Sequence, residues 1–139
     1  MPLAKLTPNL MVPDVVRTTA YYLETLGFNF VMGMPEKAEA PVFAWPGKDP
    51  LAFAAVKSGA VEIFFQSRKS LGGELPVLAG QKTGGSFTLY IECDDLDARY
   101  KKIAAAGSFL KDLRTTFYGM REFYIQDING YILAFAQKA

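Results

Sequence analysis

The chain has 139 residues, half of them hydrophobic, and its 15 basic and 14 acidic side chains leave a net charge of +1. That length suits one domain with a substantial core, and the balanced charge excludes a field able to hold a nucleic acid backbone or an acidic membrane surface. The absence of histidine removes the commonest general base near neutral pH, the Ser-His and Cys-His nucleophile pairs, and the commonest ligand of zinc, iron and copper.

In chain order, the first predicted element is a half-buried strand in which Leu6, Pro8, Leu10 and Val12 alternate with Thr7, Asn9 and Met11. The opening MPLAKLTPNL has no long apolar run with a cleavage site, and no stretch approaches about 18 uninterrupted apolar residues, so a cytoplasmic protein is expected. Asp14 follows as a helix N-cap, its carboxylate placed to accept from the exposed amides of the first turn. Val15, Thr19, Tyr22 and Leu26 recur at helical spacing, and Gly27 supplies a left-handed stop. Strands are expected next at Asn29–Met34, Leu51–Val56 and Val61–Gln66. Between the first two lies PEKAEAPVFAWPGKDP, residues 35–50, whose four prolines break regular structure and which carries the only tryptophan, Trp45. Such a loop is either a lid over a binding site or a strap that Trp45 pins to the sheet.

Residues 67–86, SRKSLGGELPVLAGQKTGGS, read as a connecting segment too long for a tight turn and too rich in glycine for a regular element, with a short helical turn at Leu71, Leu75 and Leu78. The second half opens with Phe87, Leu89, Ile91 and Cys93 on an apolar strand face and Thr88, Tyr90 and Glu92 on the other. Asp94 or Asp95 caps a helix marked by Leu96, Tyr100, Ile103 and Gly107. Strands follow at Lys111–Thr116, Met120–Gln126 and Tyr131–Gln137, the last two joined at Asn129-Gly130, a type I′ turn signal. An offset of 81 residues superposes Thr7 on Thr88, Asp14 on Asp95, Val15 on Leu96 and Tyr22 on Ile103. The chain is therefore one α+β domain, 1–139, written as two βαβββ modules over 1–66 and 87–139. The single cysteine, Cys93, forms no internal disulfide, and nothing argues for an oxidising compartment.

These two units, the punctuation PDV…YY…LGF at Pro13 to Phe28, and YGMREFYIQDINGYILAF at Tyr118 to Phe135 together resemble the vicinal oxygen chelate superfamily. That group includes glyoxalase I, extradiol dioxygenases, fosfomycin resistance enzymes and bleomycin resistance proteins. Ile128 and Asn129 stand where the group's aspartate, proline, acidic, glycine turn has its proline and acidic residue. The resemblance implies curled mixed sheets around a central cup, helices outside, ligand inside, and commonly a homodimer. It assigns the metal-ligand positions of metal-dependent members to Thr7, Thr88, Ala134 and, on the strand 61–66, Glu62. One carboxylate and two threonine hydroxyls do not make a tight site for a divalent transition metal, so neither metal nor other cofactor is expected.

Strand alternation then aims Thr7, Asn9 and Met11, Glu62, Phe64 and Gln66, and Thr88, Tyr90 and Glu92 into the cup. Met120, Glu122 and Tyr124, with Ile132, Ala134 and Ala136, complete it. Aromatic and thioether groups with a few amides and hydroxyls suit a small flat organic ligand; the other reading is a cup filled by its own side chains. Glu62, Glu92 and Glu122 are the candidate catalytic residues if they converge, since repulsion would raise one pKa and make a general base or a hard-cation site. If they lie at strand ends in solvent, they are inert. Cys93 reads as core, its thiolate suppressed by burial and nearby carboxylates. Arg121 reads as half of a charge pair near a helix end or as a grip on an anionic ligand; Tyr118 either overhangs the cup rim or packs on the preceding strand. The expected function is metal-free capture of a small aromatic or planar compound, as in bleomycin resistance proteins. Phe64, Tyr90, Tyr124 and Trp45 would stack on it while Asn9, Gln66 and Thr88 orient it. The alternatives are a metal-dependent lyase, isomerase or dioxygenase with carboxylate ligands, and an interaction module with a filled cup.

Overall fold

A computed structural model of the chain describes residues 1–37 and 39–139; Ala38, in the proline-rich loop, lies outside the described residues. The chain divides into two compact units, residues 1–24 with 28–81 and residues 25–27 with 82–139.

In the first unit, β1 (Asn9–Val12), α1 (Val15–Glu24), β2 (Asn29–Pro35), β3 (Leu51–Ser58) and β4 (Val61–Ser67) form a four-stranded sheet in the order β1-β4-β3-β2. β1 runs parallel to β4 and the other neighbours are antiparallel. Pairing starts at Asn9 opposite Phe64 rather than at Leu6, which is exposed; only the Pro8 carbonyl reaches the ladder earlier, accepting from Phe64 N–H at 2.9 Å. Asp14 caps α1 as its position demands, Oδ1 accepting from Arg17 N–H at 3.0 Å. Gly27 stops the helix at φ +79°. The helix lays Val15, Thr18, Thr19 and Tyr22 on the sheet. The two buried threonines satisfy their hydroxyls within the helix, donating at 2.8 Å to the Asp14 and Val15 carbonyls. Tyr22 packs its ring on Phe65 and Phe28, and Leu10, Val12, Ala54, Val56 and Ile63 complete a buried apolar layer beneath the helix.

The segment after β4 is more regular than its glycine content implies. Ser67 accepts from Ser70 N–H at 3.2 Å and starts α2 (Arg68–Glu74), which a 3-10 turn at Pro76–Leu78 follows. Gly72 sits inside this helix because a Cβ there would meet the Ala79 backbone at 3.0 Å. Leu71 is buried, whereas Leu75 is exposed.

The second unit repeats the plan with β5 (Thr88–Glu92), α3 (Leu96–Ala104), β6 (Lys111–Thr115), β7 (Met120–Gln126) and β8 (Ile132–Lys138), in the order β5-β8-β7-β6, β5 parallel to β8. α3 buries its own Leu96 and Ile103, and Tyr100 stacks on Phe109 and meets Phe123 edge-on. Neither Asp94 nor Asp95 caps α3 through its side chain. The Asp95 carboxylate is drawn instead to Arg99 Nε at 2.8 Å, and the Leu96 amide is met by Gln137 Oε1 from β8 at 3.1 Å. Arg121 pairs with Asp97 in the first turn of α3 at 2.9 Å, holding that carboxyl below its ordinary range through hydrogen bonding and charge.

The β7–β8 turn is not type I′, because Asn129 keeps a negative φ and only Gly130, at φ +92°, is left-handed. Gly130 N–H closes onto the Asp127 carbonyl at 3.1 Å, and Asp127 Oδ1 accepts from Asn129 and Tyr131 amides at 2.8 and 2.9 Å. The aspartate thus organises a turn followed by a glycine bulge. No helix among the described residues is long and apolar enough to cross a membrane.

Candidate functional site

Register lines up two rungs on the helix-free face of the second sheet. Tyr90, Ala134, Tyr124 and Lys111 form one, across β5, β8, β7 and β6; Glu92, Ala136, Glu122 and Arg114 form the next. β8 separates β5 from β7, yet the Tyr90 hydroxyl donates to Glu122 Oε2 at 2.6 Å. The phenol therefore crosses the central strand. It can do so because Ala134 and Ala136, both fully buried, project only methyl groups there.

Glu122 is fully buried. A carboxylate in so dry a position persists only when it is paired and hydrogen-bonded, and three groups supply this. Besides Tyr90, the Tyr118 hydroxyl donates to Oε1, and Arg114 Nη2 stands 3.4 Å from the same oxygen. Hydrogen bonding to Glu122, seconded by burial, pushes both phenols above the ordinary tyrosine value, although the Thr116 side chain works the other way on Tyr118. The second terminal nitrogen of Arg114, Nη1, is buried without a hydrogen-bond partner. Tyr90 itself stays 45% exposed.

Sequence alternation does not find Arg114. Counting by twos from Lys111 puts it on the helix side, but β6 takes three steps from Lys111 to Arg114 while β7 takes two from Tyr124 to Glu122. This bulge turns Arg114 onto the face of Glu122. The only hint in the sequence is that KDLRT fails to alternate.

The corresponding face of the first sheet carries the rungs Asn9, Phe64, Ala55, Met32 and Met11, Gln66, Phe53, Met34. Here the predicted polar residues are spent on one another: Asn9 Nδ2 donates to Gln66 Oε1 at 2.9 Å, and Gln66 Nε2 donates to Ser70 Oγ at 2.9 Å. Phe64 lies against Phe53, ring centres 5.0 Å apart. Met32 and Met34 reach this face through a bulge after Phe30, which simple alternation along β2 again does not give. Thr7 precedes β1 and is half-buried, and Thr88 is exposed at the start of β5.

Trp45 stands apart from this face. It packs on Phe30 at 5.3 Å, and Phe30 pairs with Val56 on the side of the sheet that α1 covers. The indole pins its loop. The three candidate glutamates have different surroundings: Glu62 is ion-paired with Lys5, Glu92 is exposed, and Glu122 is buried. Among the described residues there is no group of three or more His, Cys, Asp or Glu able to hold a metal ion. Cys93 is half-buried, and loss of solvent raises its thiol above the ordinary value.

The sequence profile of the Glyoxalase/Bleomycin resistance protein/Dioxygenase superfamily matches residues 5–135. The chain belongs to this superfamily. Among solved structures, a protein of unknown function from Agrobacterium tumefaciens str. C58 is 20% identical with a TM-score of 0.74, the match covering 100% of this chain and 97% of that one. TioX from Micromonospora sp. ML1 is 14% identical with a TM-score of 0.69, over 98% and 99% of the two chains. The bleomycin-binding protein from bleomycin-producing Streptomyces verticillus, solved with copper(II)-bleomycin, is 20% identical with a TM-score of 0.61, over 100% and 99%. At these identities the likeness is one of fold, an α+β architecture of two four-stranded mixed sheets and three helices. A comparison with curated proteins finds no match.

The positions that metal-dependent members of the superfamily use do not fit a metal ion in this chain. Ala134 offers a buried methyl group where a carboxylate is needed, and it forms the floor beneath Tyr90. The remaining donors are the hydroxyls of Thr7 and Thr88 and the carboxylate of Glu62, already engaged by Lys5; neutral hydroxyls are weak partners for a divalent transition metal.

Proposed function

We propose that this protein binds a small, flat organic molecule on the helix-free face of its second sheet and does so without a metal ion. The observation that carries this reading is the buried Glu122 held by Tyr90, Tyr118 and Arg114 above an alanine floor. A protein maintains a fully desolvated carboxylate at a cost, and here the result is to fix two half-exposed phenol rings at defined positions beside Tyr124. Rigid aromatic groups with a few oriented polar atoms are what flat ligands require. The bleomycin-binding protein of related fold supports the same reading by analogy. Homodimeric assembly belongs to the proposal as well.

The test has two arms. Protein purified without chelator is analysed by native mass spectrometry, which reports bound metal, trapped compounds and subunit number together. A stoichiometric transition metal overturns the metal-free reading. In the second arm, metal-free bleomycin and a panel of bicyclic aromatics are titrated against 13C-tyrosine-labelled protein. Shifts at Tyr90 and Tyr124, with binding at least about tenfold weaker in Tyr90→Ala, support the site; binding unaffected by that substitution places the ligand elsewhere.

A further inference from the structure

We infer that the ligand site is polarised by Glu122 so that it selects molecules presenting an N–H or O–H donor to the Tyr90 oxygen. This rests on the binding reading above and goes on to name the chemical class bound. A phenol has one proton to donate and lone pairs with which to accept. The Tyr90 proton is committed inward, to Glu122 Oε2 at 2.6 Å. What remains for an incoming molecule is an oxygen that accepts and cannot donate. Donation to a carboxylate also draws electron density toward the phenol oxygen, which strengthens it as an acceptor.

Among the described residues, none donates a hydrogen bond to that oxygen. Tyr118 sends its proton to the other oxygen of the same carboxylate, and Arg114 supplies the opposite charge beside that oxygen, Oε1. Ala134 and Ala136 carry no polar side-chain atom. A bare acceptor on the ligand would meet the Tyr90 oxygen lone pair to lone pair, and a site whose polar group is left unmatched discriminates strongly against the wrong partner. Glu122 does not touch the ligand in this arrangement; it is a positioning residue that sets the direction of a neighbour's hydrogen bond.

The substitution Glu122→Gln makes a directional prediction. Arg114 lies nearest Oε1, so the amide carbonyl takes that place and the NH2 group takes the place of Oε2, facing Tyr90. The amide then donates to the phenol oxygen, and the Tyr90 proton is released to point outward. The preference of the site should change from donors to acceptors.

Indole, a donor, and isoquinoline, an acceptor of similar size that is neutral at pH 7.5, are titrated separately against 13C-tyrosine-labelled protein. Wild type should bind indole at least about fivefold tighter, and Glu122→Gln should abolish or reverse that ratio. In Tyr90→Phe, which keeps the ring and serves if Glu122→Gln fails to fold, the two compounds should bind with equal strength. Equal binding by wild type, a preference for isoquinoline, or a ratio unchanged in either folded variant overturns the inference while leaving the binding function standing. If neither compound shifts any tyrosine resonance, the binding reading fails and the inference fails with it.

Discussion

The two sheets share one plan and differ in what stands on the central strand. In the first unit, β4 carries Phe64 and Gln66 on the helix-free face; at the matching places in the second, β8 carries Ala134 and Ala136. Large side chains in the middle keep the flanking residues apart, and the first face satisfies itself through Asn9, Gln66 and Ser70. Small ones open a passage, and Tyr90, at the place of Asn9, crosses to Glu122, at the place of Phe53. The same backbone thus yields a self-contained surface in one unit and a buried charge with two pendant phenols in the other. Chemistry here follows from the volume of two neighbouring residues as much as from the polar groups themselves.

Glu122→Ala should break the contrast most severely. It strands a partly buried guanidinium and removes the acceptor of two hydroxyls, and a loss of about 3–5 kcal/mol in urea unfolding is expected. By comparison, Gln66→Ala in the first unit, whose partners reach water, should cost no more than about 1 kcal/mol. Ala134→Leu tests the passage itself: filling it should displace Tyr90, cost about 1–3 kcal/mol, and return the Tyr90 phenol to ordinary titration when absorbance is followed against pH. Tyr90→Phe should cost about 1 kcal/mol, because one hydrogen bond to a charged group is lost at a half-exposed position.

The pH response separates the units more gently. The folded-state pKa values of Tyr90 and Tyr118 are raised above the ordinary tyrosine value of 10.0, first by hydrogen bonding to Glu122. Their stabilisation is therefore complete below pH 10.0 and is lost as pH rises through the folded-state values. Urea midpoints should fall on the alkaline side of pH 10.0 in wild type and fall less in the Tyr90→Phe, Tyr118→Phe double variant. An equal fall in both would show that the shifted phenols contribute nothing.

Much of this architecture was legible from spacing. The Asp14 cap and Gly27 stop of α1, the alternation along β4, β5, β7 and β8, and the pairing of Arg121 near a helix end all depend on local periodicity or on identity at one position. What was hidden depends on exceptions to periodicity or on distant partners. Bulges invert the parity of β2 and β6, so Met32, Met34 and Arg114 were out of reach. Asp95 reads as a cap by its neighbours, yet Arg99 one turn later competes for its carboxylate and a glutamine from β8 takes over the capping. The loop of Trp45 reads equally as a lid or as a strap, and only its distant partner Phe30 shows where the indole packs. In the candidate site, therefore, Tyr90, Tyr118, Glu122 and Tyr124 were visible one by one, but the hydrogen bonds that join Tyr90 and Tyr118 through Glu122 were not.

Each unit's first strand bonds only to its last, β1 to β4 and β5 to β8, and the first amide of α3 is met by Gln137 of β8. As the chain leaves the ribosome, β1 must wait for β4, and α3 lacks its cap until Gln137 has emerged. Such distant closure slows folding. The order of synthesis thus lets the first sheet assemble while the second still lacks the strand that completes it.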